Sequence, residues 1–182
     1  MAEWSLVTFG HGTASIEEIT SLLRDAGVVS LVDVRTAPGS RRNPDVARTE
    51  LERTLPERGI GYRWEKRLGG FRKVPPDSPD VVWRNDAFRG YAAHMRTDTF
   101  IEAVDELLAE AAEHPTAVMC SESVWWRCHR RMIADFALLA RGVPVCHLMH
   151  DGRLREHHVS EGVRLRDDGF LVYDGGQEQL PS

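Results

Sequence analysis

The run VVSLVDV at residues 28–34 constrains the fold more than any other segment of the chain. It is almost continuously apolar and rich in β-branched residues, which is typical of a strand buried on both faces. Strands of this kind occur in parallel sheets that are covered by helices on both sides. The rest of the chain is therefore expected to supply those helices.

Further short apolar runs alternate with helical patterns along the chain. We predict strands at residues 5–10, 60–64, 116–120 and 143–149, and helices at 15–26, 47–58, 88–95, 98–112 and 126–140. Strands that alternate with helices favour a mostly parallel sheet. The expected fold class is α/β: a single three-layer domain with a mostly parallel central sheet and helices on both faces.

The end of the chain has a different pattern. Residues 163–173, VRLRDDGFLVY, predict a small β-hairpin whose short turn contains glycine. We divide the chain into an α/β core domain at 1–150 and a C-terminal extension at 151–182 that packs on the same domain. A length of 182 residues fits one domain.

Composition narrows the class of protein. Hydrophobic residues make up 42% and charged residues 28%, which is a globular mix. No apolar run approaches the ~18 residues of a transmembrane helix, and the first residues lack the pattern of a signal peptide. Three cysteines, an odd number, do not form a disulfide framework. We expect a cytoplasmic protein with reduced thiols, no membrane partner and no cofactor.

The charge is unevenly distributed. The net charge is −5, yet residues 35–73 contain eleven Arg or Lys against five Asp or Glu. A basic segment inside an acidic protein indicates a cationic site for an anionic small molecule or a nucleic acid. The alternative is a solvated face whose charges have no function.

Reactive residues follow three of the predicted strands. His11 comes after the first strand, Asp33 and Arg35 end the second, and Cys120 and Glu122 follow the fourth. Open parallel sheets bind ligands at the carboxyl ends of their strands. The sequence therefore predicts a functional site at that edge, with Cys120, Glu122, His11 and Asp33 as catalytic candidates.

Cys120 has two interpretations. The amides that follow it, a helix N-terminus and nearby arginines favour its thiolate, whereas the carboxylate of Glu122 disfavours it. A cysteine at the end of a buried strand is also compatible with simple packing. Glu122 and Asp33 could perform acid/base chemistry, or Asp33 could pair with Arg35 or Arg127 and hold the loops.

Arginines and aromatic residues are the candidates for substrate binding. Guanidinium groups bind phosphate or carboxylate through two hydrogen bonds, and planar side chains stack on bases. The predicted substrate-binding residues are Arg35, Arg41, Gly70, Arg72, Tyr91, Arg127, His129 and Arg130, with Trp125 and Trp126 as further stacking candidates. For Arg127 two partners compete: Glu122 within the loop, or an anion bound above Cys120.

Histidines and cysteines raise the question of a metal. Cys120, Cys128, His129 and His11 could in principle surround a transition metal, but they lack the close paired spacing of a structural zinc site. We therefore predict no metal. His157, with its neighbour His158, is expected to be exposed to solvent.

Five ordered motifs carry a family resemblance. They are FGHG at 9–12, VDVR with PGSR at 32–41, LGG at 68–70, FRGYA at 88–92, and CSE with CHR at 120–130. The set resembles the bacterial domain-of-unknown-function family 488 over about residues 6–150, which implies a single α/β domain. A weaker similarity to rhodanese-like domains implies a Cys120 that carries sulfur.

Two functions follow as hypotheses. The first is a thiol-dependent transferase or hydrolase that acts on an anionic, phosphate-bearing or nucleotide-like substrate, with Cys120 as nucleophile or sulfur carrier. The alternative is a nucleic-acid-binding or base-processing protein that uses the basic segment 35–73, Trp125, Trp126 and Glu122.

Overall fold

The computed structural model describes residues 5–39 and 43–176 and has a six-stranded central sheet. Its strands are β1 (Leu6–Gly10), β2 (Ser30–Asp33), β3 (Gly61–Trp64), β4 (Thr116–Cys120), β5 (Val145–Leu148) and β6 (Leu154–Glu156). The strand order is β3-β2-β4-β1-β5-β6, and every pair except β5 and β6 is parallel. The prediction of an α/β fold with a mostly parallel sheet is confirmed.

Helices cover both faces of this sheet. They are α1 (Ile16–Asp25), α2 (Arg48–Glu57), α3 (Asp86–His94), α4 (Asp98–Glu113) and α5 (Arg130–Arg141). Apolar side chains of α1 and α2 form one buried cluster with one face of the sheet, and those of α3, α4 and α5 form another with the opposite face. No helix in the described ranges has the length and apolar character needed to span a bilayer.

The segment 28–34 shows why two layers of helices are needed. Leu31 packs in the cluster of α1 and α2, whereas Val32 and Val34 pack in the cluster of α3, α4 and α5. All three side chains are 0% exposed. Alternate residues of a strand point to opposite faces, so an apolar residue at nearly every position requires cover on both sides.

The C-terminal part of the chain contributes to two sheets. β7 (Arg164–Leu165) and β8 (Leu171–Val172) form an antiparallel hairpin, as predicted. β6 pairs antiparallel with β5 and is the edge strand of the central sheet. The extension thus completes the sheet as well as adding a hairpin.

One helix begins later than predicted. The apolar pattern predicts a helix from residue 126, but α5 begins at Arg130. Trp125–Arg127 form a single 3-10 turn, and Cys128 then has extended backbone angles, φ −124° and ψ 150°. The loop after β4 is therefore longer than expected.

Neighbouring parallel strands bring three of the predicted site segments together. Gly10 lies opposite Cys120 in the register of β1 and β4, and Asp33 lies opposite Met119 in the register of β2 and β4. The backbone N–H of His11 donates to the carbonyl of Cys120 at 3.0 Å. These contacts fix the carboxyl edge on which the site is built.

Candidate active site at the carboxyl edge of the sheet

A cavity of about 440 Å³ opens at the carboxyl ends of β1, β2 and β4. Its polar lining includes His11, Arg35, Cys120, Glu122, Arg127, Cys128 and His129, and its apolar lining includes Phe71 and Phe88. The volume is within the usual range for small-molecule sites. The structure therefore brings most of the predicted catalytic residues to one concave surface.

Arg130 holds the Cys120 thiol and the loop that follows it. Its Nη1 donates to Cys120 Sγ at 2.9 Å and to the carbonyl of Glu122 at 2.5 Å, while Nη2 donates to the carbonyl of Ser123 at 3.0 Å. Arg130 is only 1% exposed. A predicted substrate-binding residue is thus a buried support for the thiol, and its guanidinium does not line the cavity.

The environment of Cys120 favours its thiolate. Burial by itself raises the pKa of this thiol, but a hydrogen bond with Cys128 and the positive charge of Arg130 outweigh burial and lower the pKa to about 7. A substantial fraction is therefore thiolate at neutral pH. Burial and the adjacent Cys120 raise the pKa of Cys128, which keeps its proton.

Gly10 is required by this packing. A Cβ atom at Gly10 would lie 1.9 Å from the carbonyl oxygen of Glu122 and 2.3 Å from Nη1 of Arg130. Only a residue without a side chain lets the loop and the guanidinium cross β1 so closely. The glycine of the FGHG motif therefore has a steric cause.

Asp33 orients Arg35. The Asp33 carboxylate accepts from Arg35 Nε at 2.9 Å and from Arg35 Nη2 at 2.6 Å, and it also accepts from the Tyr62 hydroxyl at 2.5 Å. Asp33 is 0% exposed and does not line the cavity. Of the two roles left open by the sequence, its contacts match the pairing role, and its carboxylate is turned away from any substrate.

His11 is held between two partners. Its Nδ1 donates to the carbonyl of Gly12 at 2.9 Å, and Arg35 Nη1 lies 3.4 Å from its Nε2. Burial lowers the pKa of His11, so the ring is neutral at pH 7. A neutral His11 beside Arg35 lines the cavity without adding charge.

His129 closes one side of the cavity. Its Nε2 donates to the carbonyl of Val34 at 2.9 Å, and burial lowers its pKa to about 4. A Cβ at Gly70 would lie 2.7 Å from its Nδ1, so Gly70 serves the packing of this ring. The Tyr91 ring packs against the His129 ring in a T-shaped arrangement, with the two ring centroids 5.0 Å apart.

Glu122 and Arg127 are exposed at the cavity. The Glu122 carboxylate accepts from the backbone N–H of Val124 at 3.1 Å. Within the described part of the chain, no ion pair joins Glu122 to Arg127, and no hydrogen bond or ion pair of the Arg127 side chain is present. Of the two competitors for Arg127, the loop carboxylate does not hold it.

Several predicted binding residues lie elsewhere. Tyr91 is 0% exposed and donates to the carbonyl of Leu68, so its ring cannot stack on a ligand. Arg72 donates to the carbonyls of Lys66, Arg67 and Gly69 and does not line the cavity. Arg41 lies outside the described residues.

The two tryptophans also face away from the cavity. Trp125 stacks on His147 with ring centroids 4.2 Å apart, and Trp126 packs edge-on against Trp125. The aromatic residues that do line the cavity are Phe71, which is 81% exposed, and Phe88. Phe71 lies in a Gly- and Pro-rich loop without periodicity, and only its size and the adjacent glycines could have marked it.

Most of the basic segment 35–73 is engaged in ion pairs. Arg35 pairs with Asp33, and Arg48, Arg53, Arg58, Arg63 and Arg67 each pair with one or more glutamates. The local excess of positive charge is therefore largely neutralised by acidic residues, some of them distant in the sequence. Within residues 35–39 and 43–73, the paired arginines do not form an open basic surface.

A second cluster of chemically active residues is completely buried. Thr8, His147, His157 and Asp135 form a chain of hydrogen bonds, with His147 Nε2 2.8 Å from His157 Nδ1 and His157 Nε2 2.8 Å from Asp135 Oδ1. His157 is 1% exposed, so the expectation of a solvent-exposed histidine is wrong. His158 is exposed.

Comparison with known proteins gives a family and no activity. The family model described as "Domain of unknown function DUF488" matches residues 15–137. No curated protein and no solved structure matches the chain.

In residues 5–39 and 43–176, no three His, Cys, Asp or Glu side chains are grouped so as to hold a metal ion.

Proposed function

The chain belongs to the DUF488 family, and we propose that it is a thiol-dependent enzyme that uses Cys120 as its nucleophile on an anionic substrate. One observation carries the proposal. Cys120 lines the cavity and accepts a hydrogen bond from the guanidinium of Arg130 at 2.9 Å. A buried cation in contact with a thiol stabilises the anion that performs nucleophilic attack.

The cavity supports an anionic substrate with a flat apolar part. Arg127 is exposed at the cavity without an acidic partner in the described residues, and Arg35, paired with Asp33, also belongs to the lining. The N-terminus of α3, capped by Asn85, contributes a positive dipole end to the same space. Phe71 and Phe88 offer aromatic faces. A nucleotide-like molecule combines these two properties.

The reaction proceeds through a covalent bond to sulfur. The Cys120 thiolate attacks the electrophilic atom of the substrate, a bond to sulfur forms, and the leaving group departs with its electron pair. Glu122, exposed at the cavity, is the carboxylate in position to exchange a proton with the leaving group or with an attacking water. Release to water makes the enzyme a hydrolase, and release to another acceptor makes it a transferase.

Nucleic-acid binding receives less support from the contacts. Phosphate backbones are bound by lysines and arginines that are free to release counterions, and most arginines of the segment 35–73 are paired with glutamates. One face of the Trp125 ring is already covered by His147, and neither Trp125 nor Trp126 lines the cavity. A gel-shift series at low salt that shows tight binding to DNA or RNA would reverse this preference.

The rate of alkylation against pH tests the nucleophile. Iodoacetamide is small, and the rate at Cys120, measured by peptide mass spectrometry, should follow a titration with a midpoint near pH 7. Cys146 is the internal control, since burial without any cationic partner raises its pKa to about 12. The variant Cys120→Ser should lose the fast phase, and Cys146→Ser should keep it. A midpoint at or above that of an ordinary thiol, about 8.5, would contradict the proposal.

A further inference from the structure

A second thiol lines the cavity beside the first. Cys128 lies in the loop between β4 and α5, is 6% exposed, and shares a hydrogen bond with Cys120. Cys128 has an extended backbone and follows the 3-10 turn at Trp125–Arg127. In the proposed nucleophilic attack, Cys128 acts only as a hydrogen-bond partner that lowers the pKa of Cys120. The Cys128 thiol itself takes part in no step of that reaction.

The two thiols differ in the way that a disulfide-forming pair requires. Cys120 receives the hydrogen bond of Arg130 and is the stronger candidate for the thiolate. Cys128 Sγ lies 3.6 Å from Nδ1 of His129. Burial raises the pKa of the Cys128 thiol, so Cys128 keeps its proton and can donate it to the Cys120 thiolate.

We propose that Cys120 and Cys128 are a redox pair that closes to a disulfide in the presence of a hydroperoxide. The pairing stands on the position of the two thiols, which line the same cavity and belong to the same buried cluster. It does not depend on which substrate the cavity binds. Cys120 reacts with the hydroperoxide first. Cys128 is the resolving residue, which then attacks the oxidised Cys120 and forms the disulfide.

The chemistry balances in two steps. The Cys120 thiolate attacks one oxygen of hydrogen peroxide, the O–O bond breaks, and the hydroxide that leaves takes up a proton to give water and a sulfenic acid. The Cys128 sulfur then attacks the sulfenic sulfur, the S–O bond breaks, and the thiol proton leaves with the hydroxide as a second water. The two thiols are oxidised by two electrons, and the peroxide is reduced to water.

The oxidant has to reach a thiol that is largely buried. Cys120 is 3% exposed and Cys128 is 6% exposed, and both line the cavity. Hydrogen peroxide is close to water in size. A closed disulfide would remove the thiolate from the cavity, and a thiol reductant would restore it.

Peptide mapping tests the pair directly. The intact chain is treated with hydrogen peroxide at neutral pH, alkylated, and digested with trypsin without reduction. Cleavage after Arg96, Arg127 and Arg130 places Cys120 on peptide 97–127 and Cys128 on peptide 128–130. The expected product is a cross-link between these two peptides that disappears on reduction.

Variants separate a resolving thiol from a bystander. In Cys128→Ser the cross-link is lost, and Cys120 accumulates as a sulfenic acid that dimedone traps. In Cys146→Ser, the matched control, the cross-link forms in the same yield, because Cys146 packs on the opposite face of the sheet. A wild-type chain in which Cys120 proceeds to sulfinic acid without a cross-link overturns the proposal. A cross-link that involves Cys146 overturns it as well. Fast alkylation of Cys120 can persist in either case, so the proposed enzymatic function is judged separately.

Discussion

Two clusters of acidic, basic and thiol side chains lie in this molecule, and they differ in how completely their hydrogen bonds are satisfied. In the buried chain Thr8–His147–His157–Asp135, each group has a protein partner, and Asp135 also accepts from Ser160 and Tyr173. In the cavity at the carboxyl edge, Arg127 and Glu122 are exposed, and the Arg127 side chain has no hydrogen bond or ion pair in the described residues.

The difference shows which cluster can bind a ligand. A buried network with every partner in place stabilises one arrangement of the chain and has no capacity left for a substrate. A cavity whose charges face solvent can exchange water for a ligand. A cluster of His and Asp is therefore weak evidence for a site unless some of its members lack protein partners.

The largest expected effect comes from breaking the buried network. Asp135→Ala leaves His157 Nε2, the Ser160 N–H and the Tyr173 hydroxyl without their acceptor. Unpaired buried polar groups cost roughly 1–3 kcal/mol each, and we expect a loss of about 3–5 kcal/mol in the free energy of unfolding, the range for breaking a buried pair. Urea denaturation measures it. The exposed Asp77→Ala is the control and should change the stability by less than about 0.5 kcal/mol.

The alkylation of Cys120 in the Asp135→Ala variant tests whether the buried network and the cavity are independent. If the two clusters are independent, Asp135→Ala should lower the stability while the alkylation midpoint of Cys120 stays near pH 7 under folding conditions. A shifted midpoint in a folded variant would show that the network tunes the thiol and that the proposed separation of roles is wrong.

Gly10→Ala should have the next largest effect. The new methyl group would meet the Glu122 carbonyl and the Arg130 guanidinium at distances that no packing allows. Overpacking of this kind costs about 1–3 kcal/mol, and the displaced guanidinium should also slow the alkylation of Cys120. Thermal melts and the alkylation rate measure the two effects. Gly61→Ala, where an added Cβ would meet its nearest described neighbours at 3.7 Å or more, is the matched control.

Much of the fold follows from the sequence because periodicity reports local burial. The alternation of apolar runs and helical patterns correctly gives the sheet and its two helical layers. The start of α5 is missed because Trp126 continues the apolar pattern of the helix. In the structure Trp126 packs edge-on against Trp125, which stacks on His147. That contact joins residues distant in the chain, and no local pattern encodes it.

The site follows from the sequence only in part for the same reason. Parallel sheets bind ligands at the carboxyl ends of their strands. Residues at or just after a strand end, such as His11 and Cys120, can therefore be predicted as part of the site. The roles of Arg130 and His157 depend on partners that a local pattern does not show. Arg130 donates to Cys120 at the start of α5, and the buried His157 pairs with Asp135. Phe71 belongs to a loop whose path no periodicity describes.

Arg130→Lys tests the tuning of the thiol with a smaller change. An ammonium keeps the positive charge but cannot donate at once to Cys120 Sγ and to the carbonyls of Glu122 and Ser123. Because the pKa of Cys120 is lowered by contact with this group, weakening the contact should raise the midpoint of alkylation from about 7. Because the hydrogen bond with Cys128 and a positive charge remain, we expect the midpoint to rise but to stay below about 8.5, the value of an ordinary thiol. An unchanged midpoint would remove Arg130 as the cause.

Arg127→Ala should change the stability least and ligand binding most. The guanidinium is exposed and has no ion pair in the described ranges, so its removal should alter the free energy of unfolding by less than about 0.5 kcal/mol. A charge-assisted hydrogen bond contributes about 1.5–3 kcal/mol, so the affinity for a nucleoside monophosphate should fall about tenfold or more.

Arg127→Lys should restore binding only partly, since an ammonium cannot form two parallel bonds to a phosphate. Arg155→Ala, which removes an exposed arginine of β6, is the control for net charge. Calorimetric titration and thermal melts of the three variants decide between the two partners: full affinity in Arg127→Ala would exclude Arg127 from the site, and a large loss of stability would show that it is structural after all.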